Sequence, residues 1–397
     1  MTDRESERMG SVQTSKVATI AAAHAVHDTY SSFLPPLLPL FIEKLSLAKT
    51  EAGLLAVFLQ GPSVLQPLIG HLGDRRDLRI AVILTPTVTA VSMCLLGVAP
   101  AYGVMALLLV TAGVSSAVLH AVAPVETGRI SGLRLGFGMG FWMVGGELGR
   151  TLGPILLVSA VAAIGMTGLP WLAVGGLAAS GLLALGMRGA APRPATRARS
   201  VAARREWQGM RSFFLRLGAV VIARAIMMAA FTTFLPVFLH EEGASLWWAG
   251  ASLSVLEAAG VVGALTGGSA SDVLGRKRVL ASSLSMTPVI MIGVVLASGW
   301  WRLPLLLGLG FVGLMATPVI MAWVQEGFPE NRALANGTYM ALNFVARAVA
   351  VVLVGGLADA VGMRQAFLVC AVVGIFGTPF VFLLPSRRAS ADVRPRG

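Results

Sequence analysis

Six ionisable side chains lie inside apolar stretches of this chain that are long enough to cross a lipid bilayer. They are three acids and three arginines, namely Asp28, Glu147, Glu257, Arg150, Arg224 and Arg347. An ionised group at the bilayer centre costs about 2.5–3.5 kcal/mol on insertion scales unless it is paired or wetted. Groups retained at that cost are candidates for proton transfer and for binding a polar ligand. The alternative is a structural ion pair between packed helices.

Polar residues gather around Asp28 in the first apolar stretch. His24 and Asp28 are four residues apart and therefore share one face of a helix, and Tyr30 extends the polar patch. Burial makes a carboxyl group hold its proton, whereas water or a nearby cation favours release. We therefore predict Asp28 as the proton-coupling group, with His24 and Tyr30 binding substrate. His27 is interpreted as a packed histidine.

Two further acids and two arginines complete this part of the predicted site. Glu257 is the alternative proton-coupling acid, since it has no charged partner near it in sequence. Glu147 and Arg150 are three residues apart and can pair locally, and Glu147 is the third candidate for the proton. Arg150 and Arg224 are predicted to bind an anionic or strongly hydrogen-bonding substrate.

A polar stripe follows one face of a late apolar stretch. Asn336, Tyr339, Asn343 and Arg347 occur at helical spacing among apolar residues, so the stripe is not expected to face lipid. It either lines a water-filled path or holds helices together. We favour the path, and predict that Tyr339, Asn343 and Arg347 bind substrate. The other histidines are expected near helix ends, in an interfacial role: His71, His120 and His240.

The composition indicates an integral membrane protein. Hydrophobic residues make up 56% of the 397 residues and charged residues 13%, against roughly 25% charged in soluble domains. The two cysteines, Cys94 and Cys370, both lie in apolar runs, so neither a disulfide nor a metal site is predicted. The net charge of +12 comes from cations clustered at the ends of apolar runs, which indicates membrane orientation rather than nucleic-acid binding.

Runs of about 20 mainly apolar residues predict twelve transmembrane helices. They lie near residues 17–41, 52–71, 79–98, 102–121, 136–163, 167–187, 213–239, 247–271, 279–298, 303–324, 334–356 and 365–385. The predicted architecture is therefore all-α, with two six-helix bundles at residues 17–187 and 213–385. A basic linker at residues 188–212 joins them, and polar tails occupy residues 1–16 and 386–397.

The lysines and arginines predict the orientation of these helices. If the N-terminus is cytoplasmic, only Lys44, Lys49, Arg302 and Arg364 fall in external loops, and the other cations between helices are cytoplasmic. The positive-inside rule therefore predicts two cytoplasmic termini in a cell (inner) membrane. The linker is expected to be cytoplasmic and partly disordered, or alternatively to contact lipid headgroups.

A short motif occurs twice, about half a chain apart, which suggests a duplicated six-helix unit. The second copy, at 268–278, reads Gly-Ser-Ala-Ser-Asp-Val-Leu-Gly-Arg-Lys-Arg, and the weaker first copy, at 70–79, reads Gly-His-Leu-Gly-Asp-Arg-Arg-Asp-Leu-Arg. Each lies between apolar runs, which predicts a tight connection just outside the bilayer. The residues predicted to control conformational gating here are Gly70, Asp74, Arg75, Gly268, Asp272, Gly275, Arg276 and Lys277.

These two copies resemble the loop signature of the major facilitator superfamily. The second copy matches almost fully, whereas the first departs from the signature at Gly73, Asp77 and Leu78. The resemblance covers the whole chain, and it implies a transporter in which two six-helix halves rock about a central site.

The fifth apolar run is similar to the helix-five motif of antiporters in that superfamily. It contains Gly140, Gly149, Gly153 and Pro154 at the spacing of the motif, but Leu-Val stands at 157–158 where the motif ends in Gly-Gly. The glycines are expected to allow close helix packing and the proline to bend the helix. We therefore add Gly149, Gly153 and Pro154 to the gating residues.

The first helix carries a more specific likeness. Residues 24–39 read His-Ala-Val-His-Asp-Thr-Tyr-Ser-Ser-Phe-Leu-Pro-Pro-Leu-Leu-Pro, which resembles the fosmidomycin-resistance group of exporters, and residues 52–55, 65–70 and 257–260 continue that likeness. The resemblance implies proton-coupled drug export. Two finer repeats also appear: Phe-Leu-Pro at 33–35 recurs at 234–236, and residues 356–364 echo the gating motif on the predicted outer face.

The sequence therefore predicts a secondary active transporter that exports a small drug-like or anionic compound in exchange for protons. The alternatives are a proton-coupled importer of a small organic anion and, more remotely, a membrane sensor. An enzyme is not expected, because no nucleophile–base set or metal cluster is found, and no cofactor is predicted. The expected partners are a small-molecule substrate, protons and membrane lipid, with the protein acting as a monomer.

Overall fold

The computed structural model describes residues 13–131, 135–188, 203–328 and 332–384. Regular structure in these residues is entirely helical. Residues 1–12 and 386–397 of the predicted tails lie outside the described residues, as do residues 189–202 of the predicted linker.

The described ranges contain fifteen α-helices, several of them separated only by a short turn. In chain order they are α1 (Thr14–Ser31), α2 (Leu34–Leu45), α3 (Lys49–Gln60), α4 (Gln66–Arg75), α5 (Arg79–Leu95), α6 (Tyr102–Ile130), α7 (Leu135–Gly168), α8 (Ala173–Gly186), α9 (Ala203–Thr233), α10 (Leu235–Glu241), α11 (Leu246–Leu274), α12 (Arg276–Leu296), α13 (Arg302–Gly327), α14 (Arg332–Val361) and α15 (Met363–Leu383).

Ten helical segments of the described residues are long and apolar enough to cross a membrane. One of them, Phe141–Gly186, has 46 residues and would be about 69 Å long as a continuous helix. The hydrocarbon core is only about 30 Å thick, so this segment makes two crossings. The break between them is at Gly165, whose φ of 69° lies in the left-handed region. We assign α1 and α2 together to one more crossing, which brings the described part to the predicted twelve.

The repeated Phe-Leu-Pro sequence marks a helix restart in each half of the chain. Pro35 stands in the first turn of α2, and Pro236 stands in the first turn of α10. A proline is tolerated there because the first N–H groups of a helix have no partner within the helix. The repeat therefore interrupts the first and seventh crossings in the same way.

A single glycine connects two pairs of consecutive helices. Gly275 joins α11 to α12 with a φ of 90°, and Gly362 joins α14 to α15 with a φ of 86°. An aspartate, Asp272 or Asp359, lies three residues before each glycine. The predicted connection at 268–278 is thus too long: the helix continues to Leu274, because nothing before Gly275 breaks its hydrogen bonding.

Two helices extend well past their predicted ends. Helix α6 continues to Ile130, although its span was predicted to end at residue 121, and α9 begins at Ala203 inside the predicted linker. Hydropathy marks the lipid-embedded part of a helix, and polar residues such as Glu126 and Arg129, which pair along α6, prolong the helix beyond it.

The chain divides into two compact units, which are described separately. The first unit draws on residues 1–198, 229–258 and 351–366, and the second on residues 199–228, 259–350 and 367–397. One core of the first unit joins α1, α6, α7 and α8 through Ile20, Leu119, Trp142 and Leu183. One core of the second unit joins α9, α12, α13 and α14 through Val220, Leu280, Ile320 and Tyr339.

Glycines bring α1 and α7 of the first unit into backbone contact. A Cβ atom on Gly145, Gly149 or Gly153 would lie 2.4, 2.3 or 2.3 Å from the carbonyl oxygens of Ala21, Ala25 and Thr29. Glycines and carbonyls thus meet every four residues along both helices, which requires that these positions carry no side chain. We call this contact the glycine ladder, and it places α7 directly against Asp28.

Candidate functional site

Asp28 on α1 faces three imidazole rings and one arginine, and its side chain is only 5% exposed. Its Oδ2 lies 3.3 Å from His24 Nε2, and its Oδ1 lies 2.9 Å from His27 Nδ1. The same Oδ1 is 3.8 Å from Nε2 of His120 on α6. Nη1 of Arg150 on α7 is 3.6 Å from Oδ2. We call these five residues the Asp28 cluster.

Backbone carbonyls orient two of the three rings. His24 Nδ1 is 2.9 Å from the carbonyl oxygen of Trp142, and the His24 ring stacks on the Trp142 indole at 3.6 Å between centroids. His120 Nδ1 is 2.9 Å from the carbonyl oxygen of Ser116, one turn earlier on α6. The two Nε2 atoms then lie 3.2 Å apart, next to the Asp28 carboxylate.

Charges on α7 and α11 surround the cluster. Arg150 forms an ion pair with Glu147, as its i,i+3 spacing predicts, and also interacts electrostatically with Glu257 of α11. The side chains of His120 and Arg150 are 31% and 41% exposed, whereas His24 and His27 are buried. Among the described members of the cluster, His120 and Arg150 form its accessible side.

The structure brings together most of the ionisable residues predicted from the first half of the chain, and it adds one. The interfacial role predicted for His120 is wrong, because the longer α6 places this residue well inside the helix and against Asp28. Tyr30 does not join the cluster: its hydroxyl donates to the carbonyl oxygen of Leu172 at 2.5 Å. Residues two apart on a helix do not share a face, and that spacing from Asp28 already indicates this.

The second unit contains its own buried arginine site. Arg224 on α9 is 7% exposed, and its Nη2 donates to Oγ1 of Thr317 on α13 at 2.5 Å. Tyr339 on α14 is 1% exposed and close enough to interact electrostatically with Arg224. Among the residues that the structure describes, neither Arg224 Nε nor the Tyr339 hydroxyl has a hydrogen-bond partner. Unpaired buried donors of this kind suit an oxyanion or another strong acceptor.

The remaining residues of the predicted stripe continue along α14. Asn343 and Arg347 are both half-buried and follow Tyr339 at intervals of four residues, so all three share one face of the helix. The side chain of Asn336 lies outside the described residues. Thr317 has no counterpart in the predicted site, and its sequence neighbours, which are apolar apart from Pro318, gave no signal for it.

The second copy of the gating motif forms a compact ionic network in the second unit. Arg276 Nη2 lies 2.5 Å from Asp272 Oδ1 and 2.9 Å from Glu326 Oε1. Arg276 also donates to the hydroxyl of Ser271, and Lys277 Nζ donates to the carbonyl oxygen of Phe382 at 3.2 Å. The motif therefore ties the ends of α11, α12, α13 and α15 to one another.

The first copy of the motif has a different structure. Gly70 lies on α4 with open space where a Cβ would stand, and the side chains of Asp74 and Arg75 lie outside the described residues. Asp77 accepts a hydrogen bond from the backbone N–H of Arg79 at the start of α5. The Arg79 side chain also donates to Asp77, which lowers the pKa of this carboxyl below its usual value. Asp77 thus starts a helix where the second copy has a glycine.

The predicted repeat of the motif at residues 356–364 connects α14 to the start of α3 within the first unit. Asp359 accepts hydrogen bonds from the backbone N–H groups of Lys49 and Thr50, at 2.6 and 2.8 Å, and from the Thr50 hydroxyl at 2.5 Å. These N–H groups open α3, where the helix dipole favours a carboxylate. Ion pairs of Lys49 with Glu241 and of Arg364 with Glu242 lie beside it. We call Asp359, Lys49 and Thr50 the Asp359 latch.

Substituting Asp359 by Asn should loosen this latch. The amide keeps an acceptor but loses the charge, which we expect to cost about 1 kcal/mol at this exposed position, or roughly fivefold in the population of the open latch. Hydrogen exchange followed by mass spectrometry should then show faster exchange of the Lys49 and Thr50 amides. Asp77→Asn is the matched control and should leave these amides unchanged, because Asp77 pairs with Arg79; equal exchange in all three proteins would mean that Asp359 does not hold α3.

Comparison with known proteins identifies the class of this chain. A family model described as the Major Facilitator Superfamily matches residues 20–269 and 258–397, so the chain belongs to that superfamily. It is a multi-pass membrane transporter and not an enzyme. The all-α membrane fold predicted from the sequence is confirmed.

Individual relatives agree with that assignment. The chain is 24% identical over 378 residues to the fosmidomycin resistance protein of Escherichia coli (strain K12), covering 94% of this chain and 93% of that protein. It is also 24% identical to the uncharacterized MFS-type transporter YfnC of Bacillus subtilis (strain 168), with 92% of each covered. The resemblance to the fosmidomycin-resistance group is thereby confirmed.

Solved structures show the same fold at lower sequence identity. The nucleoside transporter NupG superposes with a TM-score of 0.76 at 12% identity, over 94% of this chain and 99% of that one. A bacterial homolog of the human lysosomal transporter Spinster, in an inward-facing and unoccupied conformation, gives 0.76 at 14% identity over 94% and 96%. At these identities the likeness concerns the fold alone.

The glycine ladder should be essential for transport. A methyl group at Gly149 would lie 2.3 Å from the Ala25 carbonyl oxygen, so Gly149→Ala must push α1 and α7 apart, at a cost of about 1–3 kcal/mol. We expect a lower melting temperature of the purified protein and a loss of most transport. Gly181→Ala on α8 is the control, because nothing lies within 4 Å of its Cβ position. Similar melting temperatures and transport for the two variants would contradict this role.

Proposed function

We propose that this transporter exports a small drug-like or anionic compound in exchange for protons, by alternating access. The observation that carries the proposal is the Asp28 cluster, a buried carboxylate with three imidazoles and an arginine inside an apolar helix bundle. Ionisable groups at this depth mark proton relays and substrate paths in membrane proteins. The relative named for fosmidomycin resistance supports export as the direction.

In this proposal Asp28 is the acid of the proton-coupling site, with Glu147 and Glu257 as nearby acids linked to it through Arg150. The proton and the substrate are proposed to exclude each other, because a hydrogen-bond donor of the substrate occupies the same acceptor atoms of the cluster that the proton would bind. Proton binding then lowers the affinity for substrate, and substrate binding favours proton release. Competition of this kind couples the two fluxes in opposite directions. His24 is proposed to bind substrate at the same site.

Inverted membrane vesicles with an imposed pH gradient test the direction and the coupling. Fosmidomycin is the first compound to try, because a relative is named for resistance to it. An exporter accumulates the compound in vesicles that are acidic inside, and the accumulation stops when a protonophore removes the gradient. Accumulation in right-side-out vesicles that are alkaline inside would instead indicate the alternative, a proton-coupled importer of an organic anion.

We further propose that Arg224, Tyr339, Asn343 and Arg347 line the substrate path, together with Arg150. The unpaired donors of Arg224 and Tyr339 support this, since an oxyanion would satisfy both. Tyr30 is a weaker candidate, because its hydroxyl is already bound to Leu172.

The motif residues are proposed to control the conformational change. They include Gly70, Asp74 and Arg75 in the first copy, with Gly149, Gly153 and Pro154 on α7, and in the second copy Gly268, Asp272, Gly275, Arg276 and Lys277. The network of Arg276 with Asp272 and Glu326 supports a role in holding helix ends. We also propose that the protein is a monomer in the cell (inner) membrane with both termini cytoplasmic, which places the Asp359 latch on the outer face.

A further inference from the structure

The Asp28 cluster contains two histidines, His24 and His120, whose Nε2 atoms face each other. The Nδ1 atoms of His24 and His120 each lie 2.9 Å from a backbone carbonyl oxygen. A carbonyl oxygen only accepts hydrogen bonds, so both Nδ1 atoms must carry hydrogen. In a neutral imidazole the other nitrogen then has no hydrogen. Both Nε2 atoms are therefore acceptors when the rings are neutral.

These two acceptors lie 3.2 Å apart, and Asp28 adds a third. The carboxylate oxygens lie 3.3 Å from His24 Nε2 and 3.8 Å from His120 Nε2. Three electron-pair donors with no hydrogen between them repel one another, and burial removes the water that could separate them. One proton between the two Nε2 atoms converts the repulsion into an N–H···N hydrogen bond beside a carboxylate.

We propose that the proton-binding site of this transporter is the His24–His120 pair, which holds one proton between its Nε2 atoms while Asp28 remains ionised. The inference rests on the proposed function, because it locates the exchanged proton within the cluster. It assigns a site residue, His120, that belongs to α6, and it changes the role of Asp28 from proton carrier to counter-ion.

The other charged groups around the pair agree with one proton. His27 donates from Nδ1 to Asp28, and its buried Nε2 has no hydrogen-bond partner among the described residues, so a second N–H there would have no acceptor. On α7, Arg150 is balanced by Glu147. One imidazolium then balances Asp28, and Glu257 on α11, which interacts electrostatically with Arg150, adds a further negative charge that favours the bound proton.

The exposed edge of the His120 ring connects this proton to the surface of the cluster. Its side chain is 31% exposed, whereas that of His24 is 4% exposed. A proton shared by the pair can therefore move from the buried ring to the accessible ring along a single hydrogen bond. A substrate bound near Arg150 would cover this edge, and a hydrogen-bond donor of that substrate would occupy the acceptor that the proton needs.

Nitrogen NMR on histidine-labelled protein tests the proposal without any substrate. The chain has only five histidines, so the signals can be assigned by single substitutions. At pH 7 we expect one imidazolium equivalent, with both Nδ1 atoms protonated, assigned to His24 and His120. His120→Gln should lose this signal, and His24→Gln should lose it as well. His240→Gln is the control and should retain it, because His240 lies elsewhere, bound to Glu43.

Three results would overturn the proposal. The first is a neutral His24 and His120 at pH 7 together with a protonated Asp28 carboxyl in the carbon spectrum. The second is an imidazolium signal that persists in His120→Gln. The third is a stoichiometric divalent metal ion in the purified protein, removed by a chelator together with the signal. Failure of proton-driven transport in vesicles, with the imidazolium present, would instead refute the proposed function and leave the shared proton in place.

Discussion

Replacing Asp28 by Asn should abolish proton-driven transport while leaving the protein folded. Asn has nearly the same shape and can still accept from His27, so the packing of α1 on α7 is preserved. It cannot carry the negative charge that stabilises a proton in the cluster, and it removes the buried carboxylate that lies 3.6 Å from Arg150. We expect fosmidomycin accumulation in inverted vesicles to fall to the level of vesicles without the protein, whereas downhill exchange persists.

The matched control for this experiment is Asp77→Asn. Asp77 lies between α4 and α5, outside the membrane-spanning helices, and its partner is Arg79. Removing its charge weakens the capping of α5 and should lower the stability by about 1 kcal/mol. Proton-driven transport should be retained. If Asp28→Asn still transports with the pH gradient, the charge of Asp28 is not needed for proton coupling, and Glu257 becomes the next acid to test.

Replacing Arg224 by Ala should remove binding of anionic compounds. The substitution takes away a buried guanidinium whose Nε is free of hydrogen bonds and leaves Thr317 and Tyr339 facing an apolar gap. Hydrogen bonds to charged groups contribute about 1.5–3 kcal/mol, so we expect affinity for an anion to fall by roughly 10–150-fold. A Lys at this position retains the charge without the planar fork and should restore only part of it.

Thermal stabilisation of the purified protein by a panel of organic anions and cations measures this effect. Arg211→Ala is the matched control, because Arg211 lies on the same helix with an exposed side chain. Its stabilisation profile should equal that of the wild type. A panel in which only lipophilic cations stabilise the wild-type protein would contradict the anion assignment for Arg224.

The parts of the fold that depend on local sequence were predicted well. Span positions follow from runs of apolar residues. The helix restarts at Pro35 and Pro236 were not predicted, although the repeated Phe-Leu-Pro sequence marks both places. The tight connection within residues 268–278 was predicted because the motif lies between two apolar runs, and the structure places its turn at Gly275. Helix ends were predicted less well, since hydropathy reports the lipid boundary and not the last hydrogen bond of the helix.

The site was predicted only where its residues share one helix. The i,i+3 pair of Glu147 and Arg150 is fixed by helix geometry alone. The contact of Asp28 with His120, in contrast, depends on how α6 packs beside α1, which no spacing within one helix reveals. The available signal in the sequence was weak: His120 follows Ser116 by four residues, which places the two side chains on one face of a helix.

The glycine ladder also determines which movements are open to the first helix. Three glycines that meet three carbonyl oxygens at the same interval have a single register, because a shift by one residue would press a side chain into the facing backbone. Sliding and rotation of α1 against α7 are thereby blocked by steric repulsion. We therefore expect the two helices to move as one rigid element, which keeps the backbones at Asp28 and Arg150 at a constant separation. Any change in the electric field at the proton site during transport must then come from water or from other helices.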